Sequence, residues 1–184
     1  MNTGVIASRY AKALLSFVTA AGAGDKTYSQ ACALVQSIHS VPRLREYVLK
    51  HDDISLEKKS ELLSSALGEP LADGLVRFMG LVAGHRRMEF FDAMLWSFID
   101  RYREANRIKV GSLVTSVPDE GLCERLEEIF HDRTGCEVSF RAGVDPELIG
   151  GFVLELDGYR LDASVRTRLE QIRRSLVDDT NRIV

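Results

Sequence analysis

The side chains that could carry chemistry in this chain are, first, its four histidines and one acidic segment. His39, His51, His85 and His131 are scattered, without the HxxxH or HExxH spacing that brings two imidazoles to one metal. The segment His51-Asp52-Asp53 offers ligand atoms, but adjacent residues rarely converge on one ion without further ligands. A solvated loop is therefore the favoured interpretation, and we expect the histidines at the surface or its boundary, with no metal bound.

The cysteines and glycines give no stronger sign of a reactive centre. Cys32, Cys123 and Cys136 are odd in number and lack Cys-x-x-Cys spacing, which fits a reducing compartment and argues against disulfides or zinc. The segment Gly22-Ala23-Gly24 lacks the third glycine and the preceding strand of a dinucleotide fingerprint, so it is interpreted as a helix terminator. The sequence also has no Gly-Lys-Ser or Gly-Lys-Thr, so it contains no P-loop.

The serines give no sign of a catalytic triad. Ser112, Ser116 and Ser139 fall on predicted strands, with no His–Asp pair visible nearby. No category of catalytic residue is therefore represented in a recognisable arrangement. We predict no catalytic residue and no cofactor. An enzyme whose site is too dispersed to recognise is kept as an alternative hypothesis.

Composition is typical of a soluble globular protein. The 184 residues are 45% hydrophobic and 28% charged, with a net charge of −3. This balance lacks the basic excess of a nucleic-acid-binding protein, and the mild acidity of the second part is compatible with a basic partner surface. No stretch approaches the roughly 20 apolar residues needed to span a bilayer, so membrane association is expected only through partners.

The N-terminal segment allows two interpretations. Arg9 and Lys12 precede the apolar run 13–18, as in a secretory signal peptide. However, Ser16 and Thr19 interrupt the run, and apolar residues keep a helical period across both basic residues. We therefore favour a helix of the folded protein.

The first part of the chain has the pattern of six consecutive helices. The predicted helices begin near Gly4, Asp25, Pro42, Leu56, Pro70 and Arg87. The first has an apolar stripe at Ile6, Tyr10, Ala13, Leu14 and Phe17. Short connections between helices of this length predict an antiparallel bundle over residues 1–105.

The periodicity changes after Arg107. Ile108 and Val110 alternate, and after Gly111 the apolar set moves to the other parity, which predicts a bulge or bend in a long strand. Asp119 is placed to cap a following helix that ends at Gly135, and another strand follows.

The end of the chain predicts a hairpin followed by a helix. Asp157-Gly158 lies between two extended runs, a strong signal for a type I′ turn, and Ser164 can cap the next helix. The apolar face predicted for this helix comprises Val165, Leu169, Ile172 and Leu176, with Arg166, Arg173 and Arg174 off it. The predicted fold is mainly α: an antiparallel six-helix bundle over 1–105 and a small α/β domain over 106–184.

The same residues resemble a known family. The ordered set is Val138-x-Phe140, Val144-Asp145, Leu148, Gly150-Gly151-Phe152 and Leu154-Glu155, followed by Asp162-Ala163-Ser164-Val165-Arg166. It resembles the C-terminal signature of the δ subunit of bacterial F-type ATP synthase, whose mitochondrial relative is the oligomycin-sensitivity-conferring protein. Ala7-x-Arg9-Tyr10-Ala11-x-Ala13-Leu14 is similar to the start of that family. The resemblance spans nearly the whole chain.

The resemblance implies a stator subunit without catalytic activity. In this family the N-terminal domain holds the N-terminal helix of an α subunit between its first and fifth helices. The residues carried over to this site are Ala7, Tyr10, Ala13, Leu14, Leu75, Phe78, Met79 and Val82. The alternative is that the stripe of the first helix simply faces the bundle core.

The resemblance also implies that the C-terminal domain binds the C-terminal helices of a b-type peripheral stalk. Gly150, Gly151 and Phe152 would then keep that domain competent to bind, and a strand start with a close backbone crossing is compatible with this role. The implied location is peripheral, at the cytoplasmic face of the bacterial membrane, with rotation coupled to ATP synthesis. A generic helical adapter with an unrelated partner is the second hypothesis.

Overall fold

The structure, a computed structural model, describes residues 3–50 and 54–181, with the backbone alone at Glu120 and over 175–181. Its internal contacts divide the chain into two compact units, Met1–Ala105 and Asn106–Val184. The described residues are mainly helical, with eight α-helices and one small four-stranded sheet, which confirms the predicted class. None of the described helices combines the length and apolar character needed to cross a bilayer.

The first unit is built from helices around an apolar core. In chain order they are α1 (Thr3–Ala20), α2 (Gly24–Ser40), α3 (Pro42–Lys50), α4 (Leu56–Leu67), α5 (Asp73–Gly84) and α6 (Phe91–Asn106). Helix α2 contacts α1, α3, α4 and α5, so it is central to the packing. The largest fully buried side chains here come from several helices: Leu34, Ile38, Leu63, Leu75, Met79, Phe91, Met94, Leu95, Phe98 and Ile99.

Several helix ends lie where local chemistry predicts them. Helix α3 begins at Pro42, whose fixed φ suits the first turn. The Ser55 hydroxyl accepts the Lys58 N–H at 3.4 Å to cap α4, and Gly68 ends that helix in the left-handed conformation at φ 73°.

The predicted start of α5 at Pro70 is wrong by three residues. A buried glutamine on α2 explains the difference. The Gln30 side chain donates to the Pro70 carbonyl at 2.9 Å and accepts the Ala72 N–H at 2.7 Å. These bonds hold the backbone before Asp73 in an extended form, because they satisfy polar groups that a helix would otherwise use. A short 3₁₀ turn, Met88–Phe90, also precedes α6.

The second unit is a mixed sheet with a crossover helix. Its strands are β1 (Ile108–Thr115), β2 (Glu137–Val144), β3 (Phe152–Leu156) and β4 (Tyr159–Asp162), and its helices are α7 (Glu120–Thr134) and α8 (Val165–Asn181). The strand order is β2-β1-β3-β4, with β1 parallel to β2 and antiparallel to β3. The predicted order of strands and helices is confirmed.

Helix α7 covers one face of this sheet. Leu113, Phe140 and Leu154, one from each of three strands, form the buried centre of the small core. Helix α7 packs against it with Leu122, Cys123, Leu126 and Phe130. The helix ends are as predicted, because the Asp119 carboxylate accepts the Leu122 N–H at 3.1 Å and Gly135 takes φ 64°.

The predicted bulge at Gly111 is wrong. Strand β1 pairs with β2 without interruption over its whole length, and Gly111 lies directly opposite Phe140. A Cβ on Gly111 would lie 2.8 Å from the Phe140 ring and would also meet the carbonyl oxygen of Glu155. The glycine is therefore explained by the close approach of two neighbouring strands, not by an extra residue in the ladder.

The predicted hairpin turn is confirmed. Asp157 and Gly158 both have positive φ, 52° and 81°, as a type I′ turn requires. The Lys109 ammonium donates to the Asp157 carboxylate at 2.6 Å and so ties the turn to the start of β1.

Helix α8 leaves much of its predicted apolar face exposed. Its first turn meets the 3₁₀ turn Pro146–Leu148. Val165, Leu169 and Ile172 are nevertheless 40%, 53% and 52% exposed. The fourth predicted member, Leu176, lies among the residues whose side chains are not described. Helix α7 covers the core face formed by Leu113, Phe140 and Leu154, and α8 contributes no described side chain to this cluster.

Candidate protein-docking surfaces

The residue types suited to catalysis remain dispersed. His39 lies 3.4 Å from Asp92, His85 bonds the Leu81 carbonyl at the end of α5, and His131 lines a cleft between α7 and β2. His51-Asp52-Asp53 lies outside the described residues. Among the residues that are described, no group of three metal-ligating side chains converges. Burial raises the pKa of the Cys123 thiol, which disfavours a reactive thiolate.

On α1, the residues carried over to the partner site fall into two sets. Ala7, Tyr10 and Leu14 are buried, at 3%, 8% and 3% exposure, while Ala13 is exposed. The buried stripe of α1 consists of Ala7, Tyr10, Ala11, Leu14 and Val18. It therefore lies about one residue away from the predicted stripe, which included Ala13 and Phe17.

On α5, all four carried-over residues lie in the core. Leu75, Phe78, Met79 and Val82 are between 0% and 4% exposed. Other side chains therefore separate these four residues from any partner helix that docks on the described unit.

The accessible side chains of α1 and α5 form a different set. Phe17 is 40% exposed and Leu81 46%, and the Arg77 guanidinium lies 5.6 Å from the centre of the Phe17 ring. A Cβ on Gly74 would lie 3.0 Å from a methyl of Val18, so this glycine lets the two helices approach closely. We define Ala13, Phe17, Arg77 and Leu81 as the α1–α5 surface.

Tyr10 connects the core to one end of this surface. Its ring packs edge-on against Phe78 at 6.4 Å and against His85 at 6.2 Å between centroids. The Arg87 guanidinium donates to its hydroxyl at 3.2 Å. The buried ring with a satisfied hydroxyl fixes α1 against the C-terminal end of α5. Three members of the α1–α5 surface are not among the carried-over residues, namely Phe17, Arg77 and Leu81, because their exposure depends on which arc of each helix is buried.

In the second unit, Gly150, Gly151 and Phe152 occupy the crossing between the hairpin and α8. Gly151 has φ 77°, and a Cβ there would overlap the carbonyl oxygen of Ala163. A Cβ on Gly150 would lie 2.9 Å from a Val165 methyl. Phe152 packs on the sheet core, and its carbonyl accepts the Ala163 N–H at 2.9 Å. The predicted close backbone crossing is therefore confirmed, whereas a role in stalk binding stays a prediction.

A cluster of hydrogen bonds fixes the start of α8. The Asp162 carboxylate accepts the Ser164 N–H at 3.0 Å and the Thr167 hydroxyl at 2.9 Å. Ser164 in turn accepts the Thr167 N–H at 3.2 Å, as its predicted capping role requires. Hydrogen bonds from Ser164 and then Thr167 lower the pKa of Asp162. Because the first turn is held by these bonds, the direction of the whole helix is set by the hairpin.

Other exposed apolar side chains lie close to this junction in the chain. Ile149 is 66% exposed and Tyr159 83%. Ile149 also has φ 67°, which is unfavourable for a β-branched residue and marks local strain. The second unit thus exposes apolar area around its last helix, a property typical of protein-binding surfaces.

Comparison with known proteins gives one consistent family. The family model described as ATP synthase delta (OSCP) subunit matches residues 6–176. ATP synthase subunit delta of Phocaeicola vulgatus is 36% identical over 186 residues, with 100% of both chains covered. The corresponding subunit of Lactobacillus delbrueckii subsp. bulgaricus is 30% identical, covering 92% of this chain and 94% of its own.

A solved structure has the same fold. A chain in the cryo-EM structure of the Toxoplasma gondii mitochondrial ATP synthase hexamer matches with a TM-score of 0.60, covering 93% of this chain and 97% of that chain. Its sequence identity is 19%, so this similarity concerns the fold alone.

Proposed function

Since this chain belongs to the ATP synthase delta (OSCP) family, we propose that it joins the F1 catalytic head of a bacterial ATP synthase to the b-type peripheral stalk. It is a structural subunit with a stator role and has no catalytic activity of its own. The observation that carries this conclusion is the family match over residues 6–176, together with relatives of the same length.

The first unit, in this proposal, is an antiparallel six-helix bundle over 1–105 that binds the N-terminal helices of α subunits. The α1–α5 surface supports this assignment, because Phe17 and Leu81 expose apolar area beside the small Ala13. Small residues allow close approach of another helix, and apolar neighbours are buried when it docks. The carried-over core residues would act by shaping this surface from below.

The second unit, over 106–184, would bind the C-terminal helices of the b-type stalk. The exposed apolar side chains of α8 and of Ile149 support this assignment. Gly150 and Gly151 would contribute indirectly, because they allow α8 to start against the hairpin. Membrane association would then be indirect, at the cytoplasmic face, through the rest of the complex.

The proposed mechanism is mechanical. The head must be held against rotation while the proton-driven rotor turns inside it, so that rotation changes the catalytic sites. Two units that each bind a separate element raise the effective concentration of the second contact once the first has formed. Slow dissociation is the relevant property, and affinity differences between related complexes are mostly differences in dissociation rate.

Affinity purification tests the proposal directly. The tagged chain, recovered from detergent-solubilised membranes, should bring α, β and b-type subunits with it. Inverted membrane vesicles stripped of this chain should hydrolyse ATP without pumping protons, and adding the purified chain should restore pumping. Recovery of an unrelated set of partners, or pumping that does not depend on the chain, would contradict the proposal.

A further inference from the structure

Helix α8 presents an apolar stripe to solvent along its described length. Val165, Leu169 and Ile172 are spaced i, i+4 and i+7, which places them on one side of a helix. They are 40%, 53% and 52% exposed. We call these three residues the α8 stripe. Its spacing matches the anchor positions used when one amphipathic helix packs along another.

Among the side chains of α8 itself, the charges beside the α8 stripe have one sign. At about 100° per residue, Arg168 lies on one side of the stripe, and Arg166 and Arg173 lie on the other. The one acidic residue of this segment, Glu170, lies farther round the helix from the stripe than these arginines, and it pairs with Arg174 at 3.8 Å. The apolar stripe is therefore bordered on both sides by guanidinium groups, although the unit as a whole is mildly acidic.

The base of the stripe is held in a fixed position. The Val165 N–H donates to the Gly150 carbonyl at 2.9 Å, and Arg166 lies 3.6 Å from the Glu147 carboxylate. The strained, exposed Ile149 immediately precedes this contact. Strain of this kind persists where surrounding contacts enforce it, and it concentrates at functional surfaces. A partner therefore meets a stripe whose direction is already set, which lowers the entropic cost of binding.

We propose that the α8 stripe binds a single amphipathic helix whose apolar face is bordered by aspartate or glutamate. This inference rests on the proposed function, because it specifies the chemistry of the stalk helix that the second unit receives. Carboxylates beside the partner's apolar face would meet Arg168 on one side and Arg173 on the other. A second copy of α8 is a poor occupant, because its own arginines would face these arginines.

Two synthetic helical peptides test the inference with the full-length chain. Both carry leucine at i, i+3, i+4 and i+7; one has glutamate and the other lysine at the flanking positions. Fluorescence anisotropy should show the glutamate peptide binding at least about tenfold more tightly, with a preference that shrinks as salt rises. Equal affinity for the two peptides, or a preference for lysine, would overturn the inference.

Variants assign the binding to this helix. Leu169→Ser should weaken the affinity for the glutamate peptide about tenfold or more, because the leucine contact that becomes buried on binding is lost. Arg168→Glu with Arg173→Glu should reverse the preference toward the lysine peptide. Arg174→Glu, the same charge change on the opposite face, should leave the ratio unchanged, and circular dichroism confirms that each variant is folded. A double variant that still prefers glutamate would overturn the inference.

Failure of this inference can be distinguished from failure of the proposed function. In one outcome, the double variant binds the glutamate peptide as tightly as the unaltered chain and also recovers the b-type subunit. This result would overturn the inference but not the proposed function. Glutamate-peptide binding that follows the expected order of variants, without b-type subunit in the purified complex, would support the surface chemistry and contradict the stalk assignment.

Discussion

Gly151 lies so close to the carbonyl oxygen of Ala163 that no side chain fits between the start of β3 and the end of β4. The same glycine has φ 77°, so both its space and its backbone conformation exclude a Cβ. This contact allows the hairpin and α8 to meet at one point, and it links a short motif in the sequence to the direction of the last helix.

Gly151→Ala should therefore destabilise the second unit by more than about 2 kcal/mol, since backbone strain and steric overlap add. Hydrogen exchange of β1 and β3 amides at increasing urea measures the free energy of opening of this unit by itself. Gly158→Ala is the matched control, because Gly158 has φ 81° with nothing within 4 Å of the added Cβ. Equal losses in the two variants would mean that the contact with Ala163 contributes nothing.

Asp162 should make the junction before α8 sensitive to acid. Its pKa is lowered by hydrogen bonds from Ser164 and Thr167, so folding favours its ionised form. The stabilisation is complete above the ordinary aspartate pKa of about 3.9 and is lost as pH falls through the lower pKa of the folded state. NMR titration of the Asp162 carboxyl should show this lowered value.

The comparison variant for that experiment is Asp162→Asn. It should reduce stability at neutral pH and flatten the loss of stability in acid, because the titrating group is gone. A carboxyl that titrates at its ordinary value, or an unchanged acid profile in the variant, would contradict the assignment.

Gln30 should be among the most sensitive polar positions of the first unit. It is 2% exposed, and its amide bonds the Glu69 carboxylate, the Pro70 carbonyl and the Ala72 N–H. Gln30→Met keeps the volume but removes the partner of the buried Ala72 N–H and a partner of the partly buried Pro70 carbonyl, which should cost about 2 kcal/mol or more. Urea unfolding followed by the fluorescence of Trp96 reports on this unit.

Gln36→Met provides the reference for Gln30, since Gln36 lies on the same helix and is exposed. It should change the free energy of unfolding by less than about 0.5 kcal/mol. Similar losses of unfolding free energy at both positions would show that the hydrogen bonds of Gln30 do not stabilise the segment before α5.

Phe17→Asp should weaken docking on the α1–α5 surface. Phe17 is 40% exposed, so the unit should stay folded, while a charge would be placed under a docked apolar helix. We expect at least about a tenfold loss of affinity for a peptide with the α-subunit N-terminal sequence, measured by isothermal titration calorimetry. Leu62→Asp on α4, where Leu62 is 41% exposed, should leave the affinity unchanged. Full affinity in Phe17→Asp would remove that residue from the site.

Features that depend on one or two neighbouring residues could be predicted from the sequence. The caps at Ser55, Asp119 and Ser164 satisfy orphan amides within one helical turn, and Asp157-Gly158 makes its turn by local backbone preference. These interactions require no knowledge of distant residues, so the number and order of helices and strands followed from them. The family signature likewise lies in such local segments.

The choice of buried faces could not be predicted in the same way. Helix α1 is apolar over a wide arc, and only packing against α2 and α5 decides that Val18 is buried while Phe17 is exposed. The pattern around Gly111 predicts a bulge or bend, whereas the requirement for glycine there comes from Phe140, which is distant in sequence. The α8 stripe has the periodicity of a core helix, yet the sheet core is covered by α7.

Hydrogen bonds within a few residues and local backbone preferences therefore specified the elements, most of their ends and the family signature. Packing between distant segments, in contrast, sets which apolar faces are buried and which stay accessible to a partner. The physical reason is that burial depends on the total area available in each core, and that area is shared among segments far apart in the chain.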